Sequence, residues 1–383
     1  MRFVVSADVD AAVPAAMRDA DAVEVGRISG GSSAAVAAGE AAIAIDICTA
    51  GAGLGAATMS GVAAITPTSG VIDARRGSVC SASVSAVDLQ LAGRAVAVAA
   101  AAAPLRRWPA DVRFAAPQAP AVAIPESLPQ LDRRRGAAFD SVVERLTAAG
   151  CRVVAVDTVD IAALLAPPGP RTPFDVAQAR DRVLAGADAL VVPAGPGDPD
   201  LCMMSDMCAV TVGDPATRVL ARAFDDAVAL DIAALAGGAA RPETVWPLAV
   251  ADHAELVVFG AHLLGGPLVH QLTGRGARFA GEITTAPRYR MVALPTSPPK
   301  PGVTRVPDSG DGAALTGHRW LLSPAALGRF LAELPAPMQL GKVEFADGSW
   351  RTAFGCDGSV QGVDVSSYGS WTNALAAGAV RQT

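Results

Sequence analysis

The stretch Val257-Val-Phe-Gly-Ala-His-Leu-Leu-Gly-Gly-Pro-Leu268 decides how the last third of the chain reads. Its apolar opening ends on Gly260, which predicts a buried strand running into a turn. Gly265 and Gly266 leave the backbone bare, so successive N–H groups can face a small carboxylate. His262 lies inside the loop, where an imidazole can donate to that carboxylate or move a proton near neutral pH. The competing reading is a histidine that only supports the loop, and for His270, on a predicted helix, that reading leads.

Working outward, residues 290–294, 319–322 and 342–345 read as strands and 324–333 as a helix. Residues 295–311 are rich in proline and glycine and read as a loop. All four histidines and both lysines, Lys300 and Lys342, stand beyond residue 250. This shift in composition sets off residues 252–383 as a small α+β domain.

Residues 1–250 alternate helical and strand patterns. A helix over 139–149 precedes a strand over 151–156, and a helix over 174–187 precedes a strand over 189–193. A Gly/Ser loop at 29–33 leads into an alanine-rich run over 34–47, read as a helix, and 217–235 reads as another. The expected fold of this half is α/β, a mixed sheet with covering helices.

The net charge is −6, the wrong sign for a nucleic-acid or anionic-membrane partner. Residues 1–12 lack a basic start followed by an apolar run, and the apolar stretch 92–105 is broken by Gly93 and Arg94. The expectation is a soluble cytoplasmic protein. The six cysteines have no zinc or redox spacing, so no metal and no cofactor is expected.

Gly30-Gly-Ser-Ser33, Thr49-Ala-Gly-Ala-Gly-Leu54 and Gly61-Val-Ala-Ala-Ile-Thr-Pro-Thr-Ser-Gly-Val71 together resemble the amidase-signature family. That resemblance implies a serine nucleophile, a second serine that relays its proton, and a buried neutral lysine as base. Ala52 stands at the nucleophile position and has no oxygen. Ser32, with Ser33 beside it, remains at the relay position. No lysine precedes Lys300. Losing triad members costs roughly 10⁴-fold in rate or more, so amidase chemistry is not expected. Ser32 and Ser33 then cap a helix or line a vestigial ligand pocket with Ala52.

The 257–268 stretch, with Thr285-Ala-Pro-Arg-Tyr-Arg290, Pro298-Pro-Lys-Pro-Gly302, Gly341-Lys-Val-Glu344, Asp347-Gly-Ser-Trp350 and Tyr368-Gly-Ser-Trp371, resembles the C-terminal domain of allophanate hydrolases. The resemblance implies a gamma-glutamylcyclotransferase-like fold. It also implies decarboxylation of the N-carboxycarbamate that an amidase half makes from allophanate. His262 and His318 are the expected catalytic residues, and Gly260, Gly265, Arg288, Tyr289 and Arg290 the expected substrate contacts, with Arg275 a further cation. His318, in Thr316-Gly-His-Arg-Trp320, stands where the family shows a glutamate.

Three functions fit: a decarboxylase or hydrolase of a small carboxylated urea-type substrate, a non-catalytic pseudo-amidase partner, or a decayed copy that only folds. A homodimer is expected, with a urea carboxylase or an active amidase as further partners.

Overall fold

The computed structural model describes residues 1–28, 32–48, 61–73, 75, 81–102, 105–128, 131–165, 172–195, 206–239, 252–307 and 310–380. The chain divides into two compact units. The first holds Met1–Val112 and resumes at Ala119. The second holds Asp252–Thr383 together with Arg113–Gln118, a short strap taken from the sequence of the other half. Within the second unit both backbone polar groups of Phe114 are tied. Its N–H donates to Gly276 O at 2.8 Å, and its carbonyl accepts from Arg278 Nε at 2.7 Å.

The strands of the first unit are β1 (Arg2–Ser6), β2 (Val23–Ile28), β3 (Ile43–Cys48), β4 (Ala63–Thr66), β5 (Ser81–Ala86), β6 (Ala121–Pro125), β7 (Arg152–Val156), β8 (Ala189–Pro193), β9 (Met207–Val212) and β10 (Thr217–Arg222). They form one sheet in the order β2-β1-β3-β5-β4-β9-β10-β8-β6-β7. Pairing is parallel at both ends and antiparallel through the middle. Parallel neighbours need long crossovers, and helices fill them. These are α1 (Ala12–Asp19), α2 (Ser33–Ala37) and, after α3 (Leu89–Ala102), α4 (Arg133–Ala148), α5 (Thr158–Leu165) and α6 (Pro173–Val183). The mixed sheet with covering helices is the architecture expected from sequence.

Local signals account for several boundaries. Asp132 caps α4 by accepting the Arg135 N–H. Thr172 and Asp175 close a capping box on α6, with Pro173 at its first position.

Three expected elements differ. The run over 34–47 is α2 followed by β3. Gly39, at φ +74°, ends the helix, and Ile43, Ile45 and Ile47 alternate in a strand buried on both faces. The run over 217–235 is β10 followed by α7 (Asp226–Ala236). Both are buried all round, so neither shows the period that tells strand from helix. The expected loop 295–311 contains the strand Lys300–Arg305. Its glycine marks a close approach: a Cβ on Gly302 would lie 2.7 Å from Cys356 Sγ.

The second unit has a five-stranded sheet, with β11 (Ala254–Val258), β12 (Arg278–Thr284), β15 (Thr316–Leu322), β16 (Met338–Glu344) and β17 (Trp350–Cys356) in the order β12-β15-β11-β17-β16. A smaller sheet orders β14 (Lys300–Arg305), β13 (Tyr289–Leu294) and β18 (Val363–Asp364). Helices α8 (His270–Thr273), α9 (Pro324–Ala332) and α10 (Trp371–Ala376) complete it. Its core gathers Phe259, Trp320, Phe345 and Leu256, all buried. Ser323 caps α9 ahead of Pro324. Among the described residues, no helix is long and apolar enough to cross a membrane.

One buried carboxylate organises the first unit. Asp226, at the start of α7, accepts the Thr68 N–H at 2.8 Å and the Thr68 hydroxyl at 2.7 Å. Thr68 Oγ1 in turn accepts the Phe224 N–H at 2.7 Å. Burial pushes the Asp226 carboxyl up to about 6, against the pull of the Thr68 bonds. The folded protein therefore holds this proton more tightly than the unfolded chain, whose carboxyl titrates near 3.8. The stability so contributed is complete below that value and is lost as pH rises through about 6. Asp226→Asn is expected to flatten this part of the stability–pH curve. Asp226→Ala strands the Thr68 N–H and is expected to cost about 2 kcal/mol at neutral pH. Denaturant midpoints measured between pH 4 and pH 7 test both.

Candidate functional site

β11 delivers the chain into the 259–269 loop, which is held mostly by its own backbone. Leu263 N–H donates to Gly260 O at 2.8 Å, Gly266 N–H to Leu263 O at 2.7 Å and Leu268 N–H to Ala261 O at 2.9 Å. Gly260 is required by contact, since a Cβ there would lie 2.0 Å from Pro301 Cδ. Gly265 is required by conformation, at φ +80° with open space around it.

The loop and its surroundings enclose a cavity of about 180 Å³. Drug-sized ligands occupy pockets of roughly 300–1,000 Å³, so this one admits only a small molecule. Its polar lining is His262, Gln271, Lys300 and Glu333, beside backbone of 258–261. Phe259, Phe330, Phe354 and Met338 supply an apolar wall.

His262 is 8 % exposed. It stacks on Phe354 with ring centres 5.3 Å apart and meets Phe330 edge-on at 5.4 Å. Its Nε2 lies 2.8 Å from Gln271 Oε1. Oε1 can only accept, so Nε2 carries the proton and Nδ1 keeps a lone pair. Burial holds the imidazole below its usual value. Gln271 pulls the other way, and the positive charges of Lys300, His270 and Arg275 add to the lowering. The ring is therefore neutral at neutral pH.

Glu333 is neutralised by an ion pair with Arg275, which also donates to Gln271 O at 2.6 Å. Lys300 has no ion-pair partner among the described residues. The cavity thus presents one uncompensated cation beside a neutral imidazole.

The other residues singled out from sequence stand elsewhere. His318 is on β15, where Nδ1 accepts the Leu264 N–H at 2.9 Å and Nε2 lies 3.4 Å from Glu282. Tyr289 is buried, and its hydroxyl accepts the Glu344 N–H at 2.7 Å. Arg290 pairs with Asp364 at 2.7 Å. Arg288 precedes β13, with Gly312 packed against its backbone. None of these four lines the cavity, nor does Gly265. His270 bonds back to Pro267 O at 3.1 Å at the head of α8. Sequence reasoning misses Gln271, Lys300 and Glu333 as site residues. Lys300 does carry a signal, being one of two lysines in the chain.

In the first unit, Ala52 lies outside the described residues. Ser32 and Ser33 are wholly buried at the start of α2, but neither hydroxyl caps it. The expected cap is corrected by the backbone: Ser32 is already helical at φ −64°, and a capping residue is normally extended. Both hydroxyls, with Asp46 Oδ1 and Ser83 Oγ, lack hydrogen-bond partners among the described residues. Asp46 and Ser83 face each other across β3 and β5. Burial pushes the Asp46 carboxyl above its usual range, with Ser32 the neighbour that opposes this. A fully buried hydroxyl with no partner destabilises. Ser33→Ala is therefore expected to raise stability by up to about 1 kcal/mol, where loss of a working cap would lower it by about as much. Urea denaturation gives the sign.

Residues 254–376 match the family model described as allophanate hydrolase C-terminal domain. Urea amidolyase of Lachancea kluyveri is 34% identical over 126 residues, covering 31% of this chain and 7% of that protein. Urea amidolyase of Saccharomyces cerevisiae is 35% identical over 123 residues, covering 30% and 7%. The chain thus spans a small part of these curated relatives. In fold, the allophanate hydrolase of Kluyveromyces lactis superposes with a TM-score of 0.77 at 20% identity, over 98% of this chain and 88% of that one. A glutamyl-tRNA(Gln) amidotransferase subunit of Thermotoga maritima superposes at 0.51 and 13% identity, over 64% and 84%. The second unit thus matches the allophanate hydrolase C-terminal domain, the first unit has the fold of an amidase, and the chain is an allophanate hydrolase-like protein.

Proposed function

We propose that the second unit binds a small carboxylated urea derivative and releases carbon dioxide from it, beside an amidase half that does not hydrolyse amides. The observation that carries this reading is Lys300, an uncompensated cation lining the same small cavity as the neutral, buried His262. Lys300 binds a carboxylate within the cavity that it shares with His262. An anion beside the imidazole raises its proton affinity, so Nδ1 takes up a proton and hands it to the substrate nitrogen. The carbon–nitrogen bond breaks with its electron pair going to nitrogen. For N-carboxycarbamate, the dianion plus one proton gives carbamate and carbon dioxide. Carbon dioxide is neutral where the carboxylate it comes from is charged, so the aromatic wall favours its release.

The test supplies N-carboxycarbamate in place from allophanate and an active amidase, and follows carbon dioxide release. Wild-type protein is expected to accelerate it. His262→Asn is expected to lose about 10²-fold or more. Lys300→Met is expected to raise KM roughly tenfold while kcat changes less. Folded wild-type protein that gives no rate above buffer overturns the reading.

The amidase half is read as inactive because position 52 is alanine and no lysine precedes Lys300. The protein alone is expected to form no ammonia from allophanate, and Ala52→Ser alone is not expected to restore it. Ammonia release by the wild type refutes this half of the proposal. The same absence favours a second reading, a non-catalytic partner of an active amidase or urea carboxylase, which requires a stable complex on sizing columns.

A further inference from the structure

His318 sits on β15 opposite Val258 of β11 and Glu282 of β12. Its Nδ1 accepts the Leu264 N–H at 2.9 Å, which is possible only while that nitrogen bears no proton. In the neutral ring the proton then belongs to Nε2, which faces Glu282 at 3.4 Å. Phe279 meets the ring edge-on at 5.1 Å. Both nitrogens are thus engaged and the tautomer is set.

Leu264 lies two residues beyond His262. The N–H groups of Leu263, Gly266, Leu268 and Val269 all donate within the loop itself. That of Leu264 crosses to the sheet. We infer that His318 is a positioning residue, which as neutral imidazole latches the loop to β15 and so aims the His262 ring into the cavity, and whose protonation opens the latch. The consequence for catalysis rests on the function proposed above, while the latch itself does not.

Among the described residues, the charged side chain facing the ring is Glu282. β11 offers Val258, and the loop offers a backbone N–H. Arg319, next along β15, is turned to Glu255 at 2.7 Å. Burial holds the His318 imidazole below the usual histidine value, and Glu282 opposes this. The latch is therefore closed above that value and lost as pH falls through the folded value.

Amide exchange and chemical shift of Leu264 in the full chain test the inference without any substrate. His318→Ala is expected to speed exchange at Leu264 roughly tenfold and leave β16 amides unchanged. His318→Asn, whose Oδ1 stands close to the position of Nδ1 and does not titrate, is expected to keep the protection and remove its pH dependence. In the wild type the Leu264 amide is expected to titrate with His318, with a midpoint below that of a free histidine. A Leu264 amide indifferent to His318→Ala, or titrating independently of the His318 ring, overturns the latch. Should His318→Ala not fold, the wild-type titration and His318→Asn decide. A missing decarboxylase rate with these amide signals intact rejects only the catalytic reading.

Discussion

At Gly260 the end of β11 touches the ring of Pro301 so closely that no Cβ fits between them. The second unit's site depends on that contact. It seats β14 against the mouth of the 259–269 loop and places Lys300, the residue before Pro301, on the wall that His262 also lines. Two segments far apart in sequence line one cavity because one of them gives up a side chain. A larger residue at 260 would part the strands before it could alter any chemistry.

The same physical cause acts on the titrating groups of both units, with opposite sign. Burial disfavours charge, so the Asp226 carboxyl rises while the imidazoles of His262 and His318 fall. At neutral pH both histidines are uncharged, which leaves His318 free to accept a backbone N–H. Asp226 endures its burial because Thr68 donates to it twice. The buried Ser33 hydroxyl has no such support among the described residues.

Elements with chemical punctuation can be read from the chain alone. Ser323-Pro324 opens α9 and Thr172-Pro173 opens α6, because caps and N1 prolines act within one turn. Elements buried on every side cannot. β3, β10 and α7 present apolar residues in all directions, so their periods are erased. β14 is hidden by prolines and a glycine that serve close packing.

By itself the sequence determined the α/β character of the first unit, the glycine loop around His262 and the alanine at position 52, since each is a matter of local residue chemistry. Tertiary structure alone decided which cations meet that histidine. Arg288, Tyr289 and Arg290 are nearest by motif, yet strand pairing and the Glu344 and Asp364 contacts draw Tyr289 and Arg290 to other partners. Gln271, Lys300 and Glu333 reach the cavity from three separate elements. Convergence of this kind has no spacing to read, because it is set by sheet order and helix packing rather than by distance along the chain.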